Sequence, residues 1–192
     1  MPQTDIFLSP VYLAYNAGEE RPYCVNYMNS AGELASTRLT YDSRGRNTMG
    51  FFQQISGSRS SRNAHHFDPQ GRMIRKERTY NDGLTSTERF LFDDRGRLAE
   101  ETFEDSTGTT GKAYYEYDAS GRAVRMKATR YKGWFSGEVE FCFDRWGRRE
   151  SAILRLPDGA SGTIAYTYEG DRLLREHWEV PGWNQTLQYV YE

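Results

Sequence analysis

Along most of the chain, apolar and polar positions alternate with period two, and Gly-containing turns interrupt the alternation at regular intervals. Counting back from each acidic turn, one face carries Leu39 and Tyr41, Phe90 and Phe92, Tyr115 and Tyr117, then Val139, Phe141 and Phe143. Ile164, Tyr166 and Tyr168, and finally Tyr189 and Tyr191, continue the column. The opposite face carries Arg38, Arg89, Glu116, Glu140 and Thr167. One apolar face at period two predicts half-buried β-strands. No segment shows a 3.6-residue apolar period with caps, so no helix is predicted.

The aromatic before each acidic turn recurs at Tyr41, Phe67, Phe92, Tyr117, Phe143, Tyr168 and Tyr191, in steps of 23 to 26 residues. Each unit reads aromatic-Asp-x-x-Gly-Arg, with turn pairs Asp42 and Gly45, Asp68 and Gly71, Asp93 and Gly96, Asp118 and Gly121, and Asp144 and Gly147. A sixth, shorter copy keeps Gly170 and Arg172. Asp suits the first position of a type I turn, because its carboxylate accepts nearby backbone N–H groups. Gly in the fourth position takes the left-handed conformation that forms a bulge and returns the chain.

A second set of Gly-containing turns lies half a repeat later, starting near Asn29, Ile55, Tyr80, Glu104, Tyr131, Leu156 and Val180. The pattern therefore predicts an all-β protein, an antiparallel meander of about fourteen strands built from ~25-residue YDxxGR hairpin repeats. It is one domain spanning 1–192, with a degenerate first repeat at 1–34 and clear repeats over 35–192. Twist accumulates across so many strands, so a curved or coiled β-sheet strip is expected, with residues 1–14 closing one end and Pro10 on an edge strand. The terminal strand, Leu187 to Tyr191, would then be covered by another part of the chain or used to pair with a second molecule. In the strands leaving each Asp turn, such as "RMIRKER" and "RLAEETF", apolar groups fall on both faces, and a bulge would shift the register by one residue. Their inward face stays open at this point.

The unit Tyr41-Asp42-Ser43-Arg44-Gly45-Arg46, with its copies from Phe67, Phe92, Tyr117 and Phe143, resembles the YD repeats of the Rhs and teneurin-type family. The resemblance implies β-hairpin repeats which in large members wind into a hollow shell around a toxin or C-terminal domain. At 192 residues the chain is too short to close such a shell, so the likeness implies the structural building block alone. A more distant similarity is to MORN-type hairpin repeats.

Composition narrows the function classes. No apolar run approaches the ~20 residues of a membrane span, and mean hydropathy is −0.84. Aromatics make up 15% of the chain, which argues against disorder and makes Tyr and Phe the core builders. The net charge of −2 supplies no field for nucleic acid, and the Arg-Gly-Arg triplets read as turn chemistry beside acidic neighbours. Cys24 and Cys142 form no metal or redox motif and are expected to be reduced. The N-terminus shows no signal peptide, which points to the cytoplasm, or to secretion or the cell surface if the native N-terminus differs.

Candidate chemistry is sparse. His65 and His66 point to opposite faces of a strand, and His65 sits where other repeats place Phe90 or Tyr115. No nucleophile elbow, zinc spacing or phosphate loop occurs, so no cofactor, no metal and no catalytic residue is expected. Carboxylates such as Glu100, Glu101, Asp93 and Asp94 read as solvated strand charge. Trp134 and Trp183 follow Gly in loops on one edge, Trp146 lies in a turn on the other, and Tyr131 begins a loop. These four are the candidate partner or glycan contacts. The functional expectation is a non-enzymatic protein-interaction or scaffold module, an accessory or immunity-like partner of larger repeat proteins, binding a protein or its own copy through a sheet edge or the aromatic face. The alternatives are a carbohydrate-binding or cell-surface protein and, last, a hydrolase using clustered carboxylates.

Overall fold

A computed structural model describes residues 22–29, 32–55, 57–131 and 135–191. The segment 1–14 with Pro10 lies outside the described residues. Among the described residues fourteen strands follow one another: β1 (Cys24–Asn29), β2 (Gly32–Tyr41), β3 (Asn47–Gln54), β4 (Ser60–Phe67), β5 (Met73–Tyr80), β6 (Thr85–Phe92) and β7 (Leu98–Asp105). The second half comprises β8 (Thr110–Tyr117), β9 (Ala123–Tyr131), β10 (Phe135–Phe143), β11 (Arg149–Arg155), β12 (Ser161–Glu169), β13 (Arg172–Val180) and β14 (Trp183–Val190). The strand count and antiparallel order are those the repeat predicts.

Closure is not. The strip does not stay open: β14 pairs with β1, from Cys24↔Val190 to Met28↔Thr186, and the sheet closes into a barrel of mean radius 13 Å. Fourteen strands ~4.8 Å apart reach that radius when tilted by about 35°, an ordinary barrel tilt. Twist accumulated over fourteen strands thus brings the last beside the first. The edge of Leu187 to Tyr191, expected to be covered or to recruit another molecule, is covered internally by β1.

The aromatic face points inward. Val25, Tyr27, Phe52, Phe90, Tyr115, Val139, Phe141, Ile164, Leu187 and Tyr189 form the buried core. Large rings are what fill the lumen of a barrel this wide; Tyr27 and Phe52, for instance, meet edge to face at 6.0 Å.

The strands leaving the Asp turns settle their faces through a bulge. Phe92 pairs with Leu98 but Leu91 with Glu100, so Ala99 is the extra residue. The same shift recurs at Tyr41, Phe67, Tyr117, Phe143 and Tyr168. Inward positions therefore fall at the first, fourth and sixth residues, as in Met73, Lys76 and Arg78, or Leu98, Glu101 and Phe103. The bulge aims charged residues into the barrel.

Candidate functional site

The barrel presents three surfaces: the Asp-turn rim, the lumen and the outer wall. On the rim, each Asp closes its own turn. Asp93 Oδ1 accepts the N–H groups of Arg95 (2.9 Å) and Arg97 (2.8 Å), and Arg97 Nε donates to Oδ2 at 2.7 Å. Asp42, Asp68, Asp118 and Asp144 hold Arg46, Arg72, Arg122 and Arg148 in the same way. The fixed guanidinium then lies over the aromatic ring one repeat later. Arg46 covers Phe67, Arg72 Phe92, Arg97 Tyr117, Arg122 Phe143, and Arg148 Tyr168, at 4.4 to 4.8 Å. These arginines are spent on a repeat-to-repeat ladder, which gives the Arg of the motif a structural role.

The lumen holds charges that the sequence pattern left as solvated. Glu101 accepts the hydroxyls of Tyr115 (3.1 Å) and Tyr131 (2.8 Å). Glu176 accepts those of Tyr189 (2.8 Å) and the Trp178 indole N–H (3.3 Å), and burial pushes its carboxyl up. Lys76 and Glu88 pair at 3.5 Å, both almost fully buried. His65 Nδ1 donates to the Asn47 carbonyl at 2.7 Å, and burial holds its pKa down to about 4. Desolvation raises Tyr27 to about 12. Each buried acid here has partners that fix it in place, the usual condition for burying charge.

The outer wall is laced with ion pairs: Arg155 with Glu140 at 2.7 Å, Lys127 with Glu116 at 2.8 Å, Lys112 with Glu100 at 3.9 Å, and Arg89 with Glu104 at 3.6 Å. One sector breaks this pattern. On β3, Phe51 is 43% exposed and Met49 45%. Phe51 sits in register between Arg38 of β2 and Arg62 of β4. Both arginines are exposed, and among the described residues neither has a carboxylate within ion-pairing distance. Next to them Arg75 and Arg89 face each other across β5 and β6, each with a carboxylate of its own, Glu77 at 3.4 Å and Glu104 at 3.6 Å. The sector is cationic around an apolar centre.

The sequence-derived candidates scatter. Tyr131 is buried at 3% exposure and belongs to the Glu101 network, so it presents no contact surface. Trp146 is 65% exposed on the Asp-turn rim, with the guanidinium groups of Arg145 and Arg148 stacked 4.0 and 4.8 Å from its ring centre. Trp134 lies outside the described residues, as does the side chain of Trp183, whose backbone starts β14. The turn residues Asp42, Gly45, Asp68, Gly71, Asp93, Gly96, Asp118, Gly121, Asp144 and Gly147 sit together on one rim, with Gly170 in the shorter sixth turn. Phe51, Arg38 and Arg62 were missed; the one signal was an apolar residue on the polar side of the alternation. Cys24 and Cys142 are free thiols. Among the described residues no group of three or more His, Cys, Asp or Glu could hold a metal ion, and no helix is long and apolar enough to cross a membrane.

No family model and no curated protein matches the sequence. Among solved structures, the chain is similar to a TcdB2–TccC3–Cdc42 complex, at 17% identity and a TM-score of 0.36 over 82% of this chain and 9% of that one. It is similar to the Tc holotoxin pore of Photorhabdus luminescens at 15% identity and 0.36, over 83% of this chain and 9% of that one. A porin-like protein from Bacteroides uniformis gives 12% identity and 0.48, over 88% of this chain and 96% of that one. The chain thus spans about a tenth of the length of the toxin chains. All three scores lie below one half, and none assigns a role to this barrel.

Proposed function

We propose that the chain is a non-enzymatic interaction barrel, an assembly of YD-type repeats that docks a protein partner on the outer wall at β2 to β4. One observation carries the reading: Phe51 stands exposed between Arg38 and Arg62, neither of which has a carboxylate within ion-pairing distance among the described residues, whereas Arg155 and Lys127 elsewhere on the wall are paired. An exposed ring flanked by two arginines offers a desolvating anchor with charge that steers an acidic segment toward it. The partner surface this fits is an apolar side chain bordered by Asp or Glu.

Other features support the reading. The rim arginines and the buried carboxylates are committed to the scaffold, which argues against both a phosphate-binding and a hydrolytic role. Guanidinium groups already occupy the Trp146 ring, which argues against a sugar stacking there. A lipid-facing barrel needs an apolar outer band, and this wall carries ion pairs on β5 to β11.

A peptide array graded in acidic content tests the proposal. Selected peptides should carry an apolar residue beside two or more carboxylates, and Phe51→Ser or Arg62→Glu should abolish their binding without changing the melting temperature. Selection without acidic preference, or binding retained in Phe51→Ser, would refute it.

A further inference from the structure

The outward face of β3 forms a short ridge. Met49 and Phe51 are both exposed and lie two residues apart on one face, about 7 Å from each other along the strand. Gln53 continues the same line, also exposed. In register beside Met49 stand Thr40 on β2 and Ala64 on β4, and beside Gln53 stand Ser36 and Ser60. These flanking side chains are small. At Phe51 alone of the three they are long, Arg38 on one side and Arg62 on the other. Two strand spacings separate the arginines, which puts their backbones about 10 Å apart.

This pattern restricts the shape of a partner. Every described strand of the barrel pairs on both sides, so none offers a free edge to an added strand. An extended segment laid flat on the wall presents its same-face side chains in a single line. Laid along β3, that line covers Met49 and Phe51 but meets neither arginine. Laid across β3, it meets both arginines and leaves Met49 bare. An α-helix lying along β3 satisfies both demands. Its residues i and i+4 are about 6 Å apart along the axis, close to the spacing of Met49 and Phe51, and its body is roughly 10–12 Å wide, close to the separation of the arginines.

We infer that the wall at β2 to β4 takes an amphipathic helix whose apolar stripe is bordered by Asp or Glu on both sides. The inference rests on the docking proposed above and names the conformation of the partner. Apolar residues four apart pack over Met49 and Phe51, while a carboxylate on each border accepts N–H groups from Arg38 and Arg62. Among the described residues neither arginine has a carboxylate within ion-pairing distance, so the incoming acids break no existing pair. The small side chains at Thr40, Ala64, Ser36 and Ser60 leave the helix flanks unobstructed above and below that level.

The test is amide chemical-shift titration of the full chain with three peptides of one composition, each about 15 residues long, the length at which an isolated helix begins to hold. The first is lactam-stapled, with Leu at i and i+4 and Glu on both borders of that stripe. The second is stapled with the same Glu residues on one border, and the third has its helix broken by D-amino acids. The first should give saturable shifts at Phe51 and Arg62 and bind about fivefold or more tighter than either of the others. Arg38→Gln and Arg62→Gln should each remove that advantage, and Arg155→Gln on the far wall should not. A stapled peptide with Lys on one border should bind the Arg38→Glu variant more tightly than it binds the wild type, a gain that no loss of fold imitates. Equal affinity for the broken or the one-border peptide, or binding indifferent to both arginines, would overturn the inference. If acidic peptides are still selected on the array and lost in Phe51→Ser, the docking stands and the helix alone falls; if the array selects none, the docking itself falls. A dimer of the chain alone that Arg62→Gln dissociates in sedimentation would make a second copy the occupant and equally overturn it.

Discussion

The Arg97 guanidinium lies 4.4 Å above the centre of the Tyr117 ring, while the Tyr117 hydroxyl donates back to the Leu98 carbonyl at 2.7 Å. One residue thus stacks forward onto the next repeat, and the next repeat bonds backward onto the first. Tyr191 repeats the backward bond to Leu173, at 2.8 Å.

Replacing Arg97 by Lys keeps the charge but loses the flat fork that fits both the carboxylate and the ring. Arg97→Lys should cost about 1 kcal/mol, and Tyr117→Phe about as much through the lost hydroxyl bond. Denaturant melts of both single variants and the double check the ladder: the costs should be non-additive, because the two groups touch.

Closure is tested at the seam. Cys24 faces Val190 directly across β1 and β14, within the Cα separation a disulfide spans. Val190→Cys should oxidise with Cys24 and stabilise the barrel by about 2–4 kcal/mol. A free thiol at both positions under oxidising conditions would mean that the sheet is open.

Two glycines separate backbone strain from steric contact. Gly121 has φ +85° with nothing near its would-be Cβ, so Gly121→Ala should cost about 1 kcal/mol from conformation alone. At Gly111 a Cβ would land 1.9 Å from the Arg130 carbonyl oxygen, where Arg130 itself takes φ 47°. Gly111→Ala must move backbone, and should cost roughly 3 kcal/mol or more. Equal melting temperatures for the two variants would contradict this packing.

The rim aspartates set the acid limit. The backbone N–H of Arg46 and of Arg97 leads in lowering Asp42 and Asp93, and the Ser120 hydroxyl leads in lowering Asp118. For Asp68 and Asp144 burial acts first and upward, but the turn N–H groups and arginines outweigh it. Folded values below the ordinary 3.8 mean stability that is full above that pH and lost as pH falls through the folded values. Melting temperature should therefore drop steeply below about pH 4, and Asp93→Asn should flatten part of the drop.

Two buried groups bend the profile in opposite senses. His65, lowered to about 4 chiefly by burial and then by Lys76, is folded as the neutral ring, so stability present above 6.5 declines as pH falls from 6.5 toward 4. His65→Phe should remove that slope. Glu176 is raised by burial, so its contribution is full below 4.5 and fades as pH rises. Glu176→Gln should gain stability relative to wild type at pH 8 more than at pH 4, as read by thermal melts at both values.

Strand number, turn positions and the inward face of the strands entering each Asp turn were legible from residues alone. Those features are local: Asp-x-x-Gly-Arg writes a turn through its own side chains, and Phe90 or Tyr115 alternates with Arg89 or Glu116 at period two. Three things were decided only in three dimensions. The bulge after each turn decided the inward face of the strand leaving it, which the residues alone left open, and put Lys76, Glu101 and Glu176 in the lumen, because one extra residue reverses every side chain beyond it. The place of each rim arginine depended on a ring 20 to 21 residues further on, as with Arg97 and Tyr117 or Arg46 and Phe67. Closure depended on tilt and twist summed over all fourteen strands, a global quantity that no single repeat encodes, and it alone turned the edge at Val190 into a seam with Cys24.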